Sequence, residues 1–378
     1  MSARIRLADL TAHRARIGDQ VDARMAEVLD HGRWIMGPEV AEFEAAAGRY
    51  VADDSITAIA CGNGTDALVL AFSALGLRTG QAVICPTFTF VATAEAVATL
   101  GGVPVFAEVG DEEFTLSADG VRLAHKQATE AGLEVVGICS VDLFGAPAPM
   151  DDLGPLAKDL GCWLVSDAAQ SLGASSGGVK VGALADVTTT SFFPAKPLGC
   201  YGDGGMVFVR DPAVADIVRS LRVHGKGSHK YDNVLIGQNS RLDTLQAAVL
   251  LAKLDIFDDE LAGRRRVADR YNDGLADAAG VVERPMIRPG DVSAWAQYTV
   301  VHRDRAGLQA ALDAADIDSA IYYPRPLHRQ PAYERFHLMG SDLSRSDRLS
   351  EHVLSLPMHP YLTDAEIDRV IETVRSVP

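Results

Sequence analysis

Ala60-Cys61-Gly62-Asn63-Gly64-Thr65-Asp66-Ala67 joins a β-rich run, residues 55–60, to a run with helical apolar spacing, residues 65–75. A glycine turn that ends a strand and opens a helix begins a β/α unit. Its backbone N–H groups and the helix N-terminus make an anion site. Gly62, Gly64 and Ala67 satisfy the loose dinucleotide spacing G-x-G-x-x-G/A, but no acidic residue stands about 20 positions on, around residues 81–85, to hold a ribose hydroxyl. There is no Walker lysine motif either. What remains is a phosphate cradle for another ligand, or a plain helix capped by Thr65 or Asp66.

Working outward, further strand patterns lie at 82–85, 103–106, 135–140, 163–166, 187–193 and 205–209, with helical patterns at 92–100 and 151–160 between them. That alternation predicts an α/β fold with a mostly parallel sheet covered on both faces. The N-terminal segment predicts helices at 19–30 and 39–50, with Trp34 in the glycine-flanked loop between them as a docking anchor or a site-lining residue. After residue 210 the pattern changes to two long helices, 242–257 and 259–279, and then a β/α/β passage at 296–301, 304–315 and 317–322. The expected organisation is a large domain over 1–250 and a smaller C-terminal α+β domain over 251–378.

The 378 residues carry 35 Lys+Arg against 51 Asp+Glu, a formal charge of −16, which argues against nucleic acid or an anionic membrane as partner. No run of about 18 uncharged apolar residues is present, and the first twenty residues lack an apolar leader core. The five cysteines, Cys61, Cys85, Cys139, Cys162 and Cys200, form no C-x-x-C pair and read as reduced thiols in a cytoplasmic protein. No metal-ligand pattern stands out.

Two further segments carry chemistry. Val165-Ser166-Asp167-Ala168-Ala169-Gln170-Ser171 puts a carboxylate at the C-terminal end of an apolar strand, the edge where open α/β sheets bind ligands. Thr190-Ser191-Phe192-Phe193-Pro194-Ala195-Lys196-Pro197-Leu198-Gly199 sets a lysine between prolines in an apolar stretch, where desolvation turns an amine into a nucleophile. Alone, each has a plain reading: a helix cap for Asp167, a surface loop for Lys196. Together with the cradle they are what pyridoxal 5′-phosphate (PLP) requires: an anchored phosphate, a partner for the pyridine nitrogen and a lysine for the aldehyde.

On the motifs Asn63-Gly64-Thr65-Asp66-Ala67-Leu68, Pro86-Thr87-Phe88-Thr89-Phe90, Asp167-Ala168-Ala169-Gln170 and Ser191-Phe192-Phe193-Pro194-x-Lys196, the chain resembles the fold-type I sugar aminotransferases of the DegT/DnrJ/EryC1/StrS class. The resemblance runs from Gly37-Pro38-Glu39-Val40 to Leu356-Pro357-Met358-His359-Pro360. It implies that Lys196 binds the cofactor aldehyde and shuttles protons, and that Asp167 pairs with the pyridine nitrogen. Gln170 would meet the ring hydroxyl and Phe90, in preference to Phe88, would stack on the ring. Ser191, Gly64 and Thr65 would bind the phosphate, and Asn239 that of a neighbouring subunit, so a homodimer with shared sites is expected.

The substrates so implied are L-glutamate and a keto sugar nucleotide. Leu221-Arg222-Val223-His224-Gly225 and Tyr322-Tyr323-Pro324-Arg325-Pro326-Leu327-His328 resemble the branch that aminates carbon 3 of a UDP-linked 3-oxo-glucuronate of the 2-acetamido series, although Tyr322 stands where that branch often has histidine. Arg241, Tyr323, His328 and His224 are the substrate candidates, Arg241 through a bidentate fork to a uronate carboxylate. The acid-free stretch Arg219–His229, continued by Lys230, is a candidate attractor for anionic ligands, with Arg222 in it. Aminotransferases on dTDP- or GDP-linked sugars are the nearest alternative. A PLP-dependent sugar dehydratase, in which histidine replaces the lysine, and a non-catalytic PLP-binding regulator are more remote.

Overall fold

The computed structural model describes all residues except 1–3, 53–54, 112, 230 and 337–341. Seven strands form the central sheet: β1 (Thr57–Cys61), β2 (Ala82–Pro86), β3 (Val103–Ala107), β4 (Val135–Val141), β5 (Trp163–Asp167), β6 (Val187–Ser191) and β7 (Gly205–Val209). Their order is β1-β7-β6-β5-β4-β2-β3. β7 runs antiparallel to both neighbours, and the other pairings are parallel, so six of the seven strands point the same way. This is the α/β, fold-type I arrangement expected from the alternation of elements.

Side chains alternate across the sheet, so both faces need cover. On one face Ile59, Val83 and Val207 pack with Leu68 and Phe72 of the helix Gly64–Ala74, Val97 of Ala92–Thr99 and Val218 of Pro212–Leu221. On the other, Ala58, Ala60 and Phe208 meet Phe43 of Pro38–Ala52 and Leu250 of Thr244–Leu254. Farther along that face Ile84, Ile138 and Leu164 meet Val121 of Ala118–Glu130 and Leu153 of Met150–Asp159. The sandwich fixes the strand ends, and the C-terminal ends of β1, β5 and β6 lie along one edge.

A second sheet, β8 (Val281–Glu283), β9 (Tyr298–His302) and β10 (Val353–Leu356), is antiparallel throughout. The helices Phe257–Gly274, Arg305–Ala314 and Asp364–Arg375 cover it around Tyr271, Tyr298, Leu308 and Val370. Two expectations need correction. Residues 317–322 are not a strand: they make single bridges, Ile317 with Ile5 in parallel and Ala320 with Ser355 in antiparallel sense. The N-terminus does not belong wholly to the large domain either, because Ile5 is buried in the core of the smaller unit. Its backbone is satisfied there, the N–H by the Asp316 carbonyl and the carbonyl by the Asp318 N–H, both at 2.9 Å, as a buried backbone requires. The boundary placed at residue 250 falls inside the helix Thr244–Leu254.

Among the described residues no helix is long and apolar enough to cross a membrane, and no group of three or more His, Cys, Asp or Glu is arranged to hold a metal ion. All five cysteines are free and buried.

Candidate active site

The site is built at the common strand edge. After β1 the chain turns through Gly62 into the helix Gly64–Ala74. Its N-cap is Asn63, whose Oδ1 accepts the Asp66 N–H at 2.8 Å, so the capping residue is neither Thr65 nor Asp66. The Asn63 carbonyl takes the Ala67 N–H at 3.0 Å. Gly62 donates its N–H to Ser240 Oγ at 3.0 Å, which brings the 239–241 segment against the turn. Gly64 faces Ser191 at the end of β6: a Cβ on Gly64 would stand 2.7 Å from Ser191 Cβ and 3.1 Å from its Oγ. Bare backbone, a helix N-terminus and a serine hydroxyl therefore converge, which suits a phosphate dianion.

At the end of β5 Asp167 is buried. Its Oδ2 accepts the Thr93 hydroxyl at 2.8 Å and its Oδ1 the Ala169 N–H at 3.2 Å. Burial raises its pKa, while these hydrogen bonds and the charge of Lys196 pull it back. Lys196 is held in the turn after β6 by its own N–H, which donates to the Phe193 carbonyl at 2.9 Å. Desolvation lowers the pKa of its ammonium, and Asp167 opposes that. The two groups thus sense each other across the site, each held away from its ordinary value.

Gln170 is fixed from both ends. Its Oε1 accepts the Phe144 N–H at 2.6 Å and its Nε2 donates to the Tyr323 hydroxyl at 3.3 Å. Tyr323 in turn lies against Phe90, ring centroids 5.9 Å apart. Phe90 is 52% exposed, whereas Phe88 is fully buried with Phe114 and Phe144, so only Phe90 is free to face a ligand.

Several candidates stand elsewhere. His328 is 5% exposed, with Nδ1 at 2.7 Å from the Thr87 hydroxyl and Nε2 at 3.2 Å from Asp347, contacts that hold the 322–328 segment against the large domain's 86–90 stretch. Arg222 is not an anion attractor: it is buried in an ion pair with Glu44 and donates to the Ala60 carbonyl at 2.5 Å. Arg219 pairs with Asp216. Of that stretch His224, Lys226 and His229 remain exposed, and Lys230 lies outside the described residues. Arg241 is half-buried beside Ser240 and has no ion pair among the described residues. Asn239 is exposed, and its backbone bridges Val223. Trp34 is 58% exposed, while its carbonyl accepts the Thr244 N–H at 2.9 Å: the backbone, not the indole, docks that loop.

Sequence reasoning missed Asn63, Thr93, Ser240 and Asp142. Asp142, fully buried, accepts from Ala148 N–H at 2.9 Å, Ser171 at 2.7 Å and Ser166 at 3.2 Å. Its own N–H donates to the Asp167 carbonyl at 3.1 Å, bracing the catalytic strand end. Only Asn63 announced itself, as a cap-forming residue before a helix.

The residues fit PLP: Gly64, Thr65 and Ser191 would hold its phosphate, Asp167 its ring nitrogen, Gln170 its ring hydroxyl, Phe90 its face and Lys196 its aldehyde. Comparison with known proteins agrees. The model of the DegT/DnrJ/EryC1/StrS aminotransferase family, which is PLP-dependent, matches residues 15–375. A UDP-2-acetamido-2-deoxy-3-oxo-D-glucuronate aminotransferase of Pseudomonas aeruginosa is 42% identical, over 96% of this chain and 97% of its own. A UDP-N-acetyl-3-dehydro-alpha-D-glucosamine 3-aminotransferase of Acidithiobacillus ferrooxidans is 38% identical, over 98% and 97%. A crystal structure of a DegT DnrJ EryC1 StrS aminotransferase from Brucella abortus superposes with a TM-score of 0.94 at 46% identity, covering 98% of both chains. The site and these likenesses together identify the chain as a transaminase that belongs to the DegT/DnrJ/EryC1/StrS aminotransferase family.

Proposed function

We propose that this transaminase takes an amino group from L-glutamate and delivers it to carbon 3 of a UDP-linked 3-oxo hexuronate of the 2-acetamido series. The observation that carries the reaction is the pairing at the strand edge of buried Asp167 with a desolvated Lys196. The position of amination rests on the two relatives at 42% and 38% identity, whose names both place the reacting keto group at carbon 3. Arg241, half-buried and with no ion pair among the described residues, is the residue for the uronate carboxylate, and Tyr323, beside Gln170 and Phe90, is the residue for the sugar.

Bound PLP supplies an electron sink for the carbon that loses and regains a proton. The chain supplies the rest. Lys196, whose ammonium pKa burial lowers against the pull of Asp167, is the residue that would remove the proton from the donor carbon and return one to the acceptor carbon. Asp167, held by Thr93 and Ala169, would offer its carboxyl group to the ring nitrogen. The Tyr323 and Phe90 rings lie against each other, 5.9 Å between centroids, and would supply an apolar wall to the bound ring.

A homodimer in the cytoplasm, supplying amino sugars for polysaccharide, completes this reading. Support for the dimer is the exposed apolar stretch Tyr231, Val234, Leu235 and Ile236, the last 99% exposed, together with the exposed rings of Trp34 and Phe193. The deciding experiment separates the half-reactions. Glutamate should bleach the yellow enzyme, and a UDP-linked 3-oxo sugar should restore the colour where a 4-oxo sugar does not. Recovery with the 4-oxo sugar alone overturns the carbon-3 assignment.

A further inference from the structure

Phe90 and Tyr323 come from segments far apart in the sequence, yet their ring centroids lie 5.9 Å apart. A clasp behind them joins the two segments. Thr87, fully buried just past the end of β2, donates its N–H to the Ala107 carbonyl at 3.0 Å, and its own carbonyl accepts the Leu327 N–H at 2.8 Å. Its hydroxyl does more. Oγ1 accepts the His328 N–H at 3.3 Å and lies 2.7 Å from His328 Nδ1. On the far side of the imidazole, Nε2 stands 3.2 Å from Asp347 Oδ1 in the helix Ser344–His352. A ring nitrogen beside a carboxylate keeps its proton, so in the neutral ring Nδ1 is the acceptor and the Thr87 hydroxyl donates to it. Asp347 is itself fixed. Arg329 donates to both its oxygens, at 3.1 and 2.7 Å, and together with His328 holds that carboxyl below the usual carboxylate range.

Both routes from the clasp to the rings are stiff. Between His328 and Tyr323 stand Pro324 and Pro326, whose rings fix φ, and Pro326 and Leu327 are buried. From Thr87 to Phe90 the chain runs through Thr89, 2% exposed, and Phe88, which is fully buried in the cluster that Tyr323 packs against. A shift at the clasp therefore meets little slack before it reaches the rings. Thr87 and His328 are themselves too deeply buried to touch a substrate, so they act only through what they hold.

We propose that Thr87 and His328 are positioning residues that set the gap between Phe90 and Tyr323, and with it the fit of the acceptor sugar. The inference rests on the assignment of Tyr323 to the sugar made above. Asp167 and Lys196 are carried by the ends of β5 and β6 and not by the clasp, so the donor half of the reaction depends on it little.

The test runs the two half-reactions of the holoenzyme separately. His328→Leu should raise the half-saturating concentration of the UDP-linked 3-oxo sugar ~10-fold and leave the glutamate half-reaction and PLP affinity within ~2-fold of wild type. Thr87→Val, which loses only the hydroxyl, should do the same and serves if His328→Leu does not fold. His328→Asn, whose amide can take the place of Nδ1 opposite Thr87, should restore most of the loss. The double variant Thr87→Val with His328→Leu should be no worse than either alone, because both break one contact. Equal falls in both half-reactions together with weaker PLP binding would mean that the clasp only holds the fold, and would overturn the proposal. Tyr323→Ala separates the two levels. If it leaves the sugar half-reaction unchanged, the assignment of Tyr323 falls and the inference with it; if it weakens that half-reaction while His328→Leu and Thr87→Val do not, the inference alone falls.

Discussion

At the scale of single residues the site is a set of carboxylates held at unequal acidities. Thr93 is the only side chain among the described residues that hydrogen-bonds Asp167, and Thr93→Val should leave that carboxylate with a single backbone donor. The expected result is a ~10-fold fall in kcat with a shifted pH dependence of the cofactor's visible band, while the melting temperature changes little. An unchanged spectrum would mean that Thr93 only packs. Asp142 gives a prediction of the opposite kind. Burial raises it to about 6, against its three hydrogen bonds. Its folded pKa lies above its unfolded one, so the stability it contributes is full below about pH 4 and is lost as the pH rises through 6, a loss on the order of 3 kcal/mol. Asp142→Asn keeps the shape, and the serine hydroxyls can turn to accept from the amide. It should raise the melting temperature at pH 7.5 relative to wild type and give no gain at pH 4.5.

At the scale of elements the phosphate cradle depends on a missing atom. Ala at position 64 would press on Ser191 Cβ, which belongs to a strand end and cannot swing aside. Gly64→Ala should weaken PLP binding at least ~10-fold, read by cofactor fluorescence quenching, with circular dichroism unchanged. Unaltered cofactor affinity would displace the phosphate from this turn. The seven central strands were all legible, because runs buried on both faces are apolar and end in glycine or proline turns. Several helices were not, although their caps are written out: Ser117 before Ala118–Glu130, Asp211 before Pro212–Leu221, and the Thr363/Glu366 capping box of Asp364–Arg375. The 317–322 stretch reads as a strand by composition and fails as one, because its two flanks meet different partners.

At the scale of the whole molecule, charge is managed locally. The −16 balance repels the anionic cofactor and substrates, and the basic stretch that offered to attract them spends Arg222 on Glu44. That pair ties the helix Pro38–Ala52 to β1, since Glu44 also accepts the Ala60 N–H at 2.9 Å. Arg222→Met alone should destabilise the fold by about 3–5 kcal/mol, whereas the double variant Arg222→Met with Glu44→Leu should recover much of it. Equal loss in both would show that the pair contributes nothing as a pair. On the assembly, Ile236→Asp should shift the sedimentation of the protein toward monomer and reduce turnover. A dimer that persists would move the interface elsewhere.

The sequence by itself determined the alternation of strands and helices, the strand-end Asp167, the lysine between prolines and the glycine turn before a helix. Each of these is local, set by a few neighbouring residues whose chemistry is unusual for their surroundings. Only the tertiary structure decided which charged and aromatic residues face the site. Phe90 and Phe88 stand two positions apart, yet one is exposed and the other buried. Arg222 and Arg241 are both arginines near the turn, yet one is bound to Glu44 and the other has no ion pair among the described residues. His328 meets its partners Thr87 and Asp347 only after the chain has folded. Burial and pairing are properties of contacts far apart in sequence, and no local pattern records them.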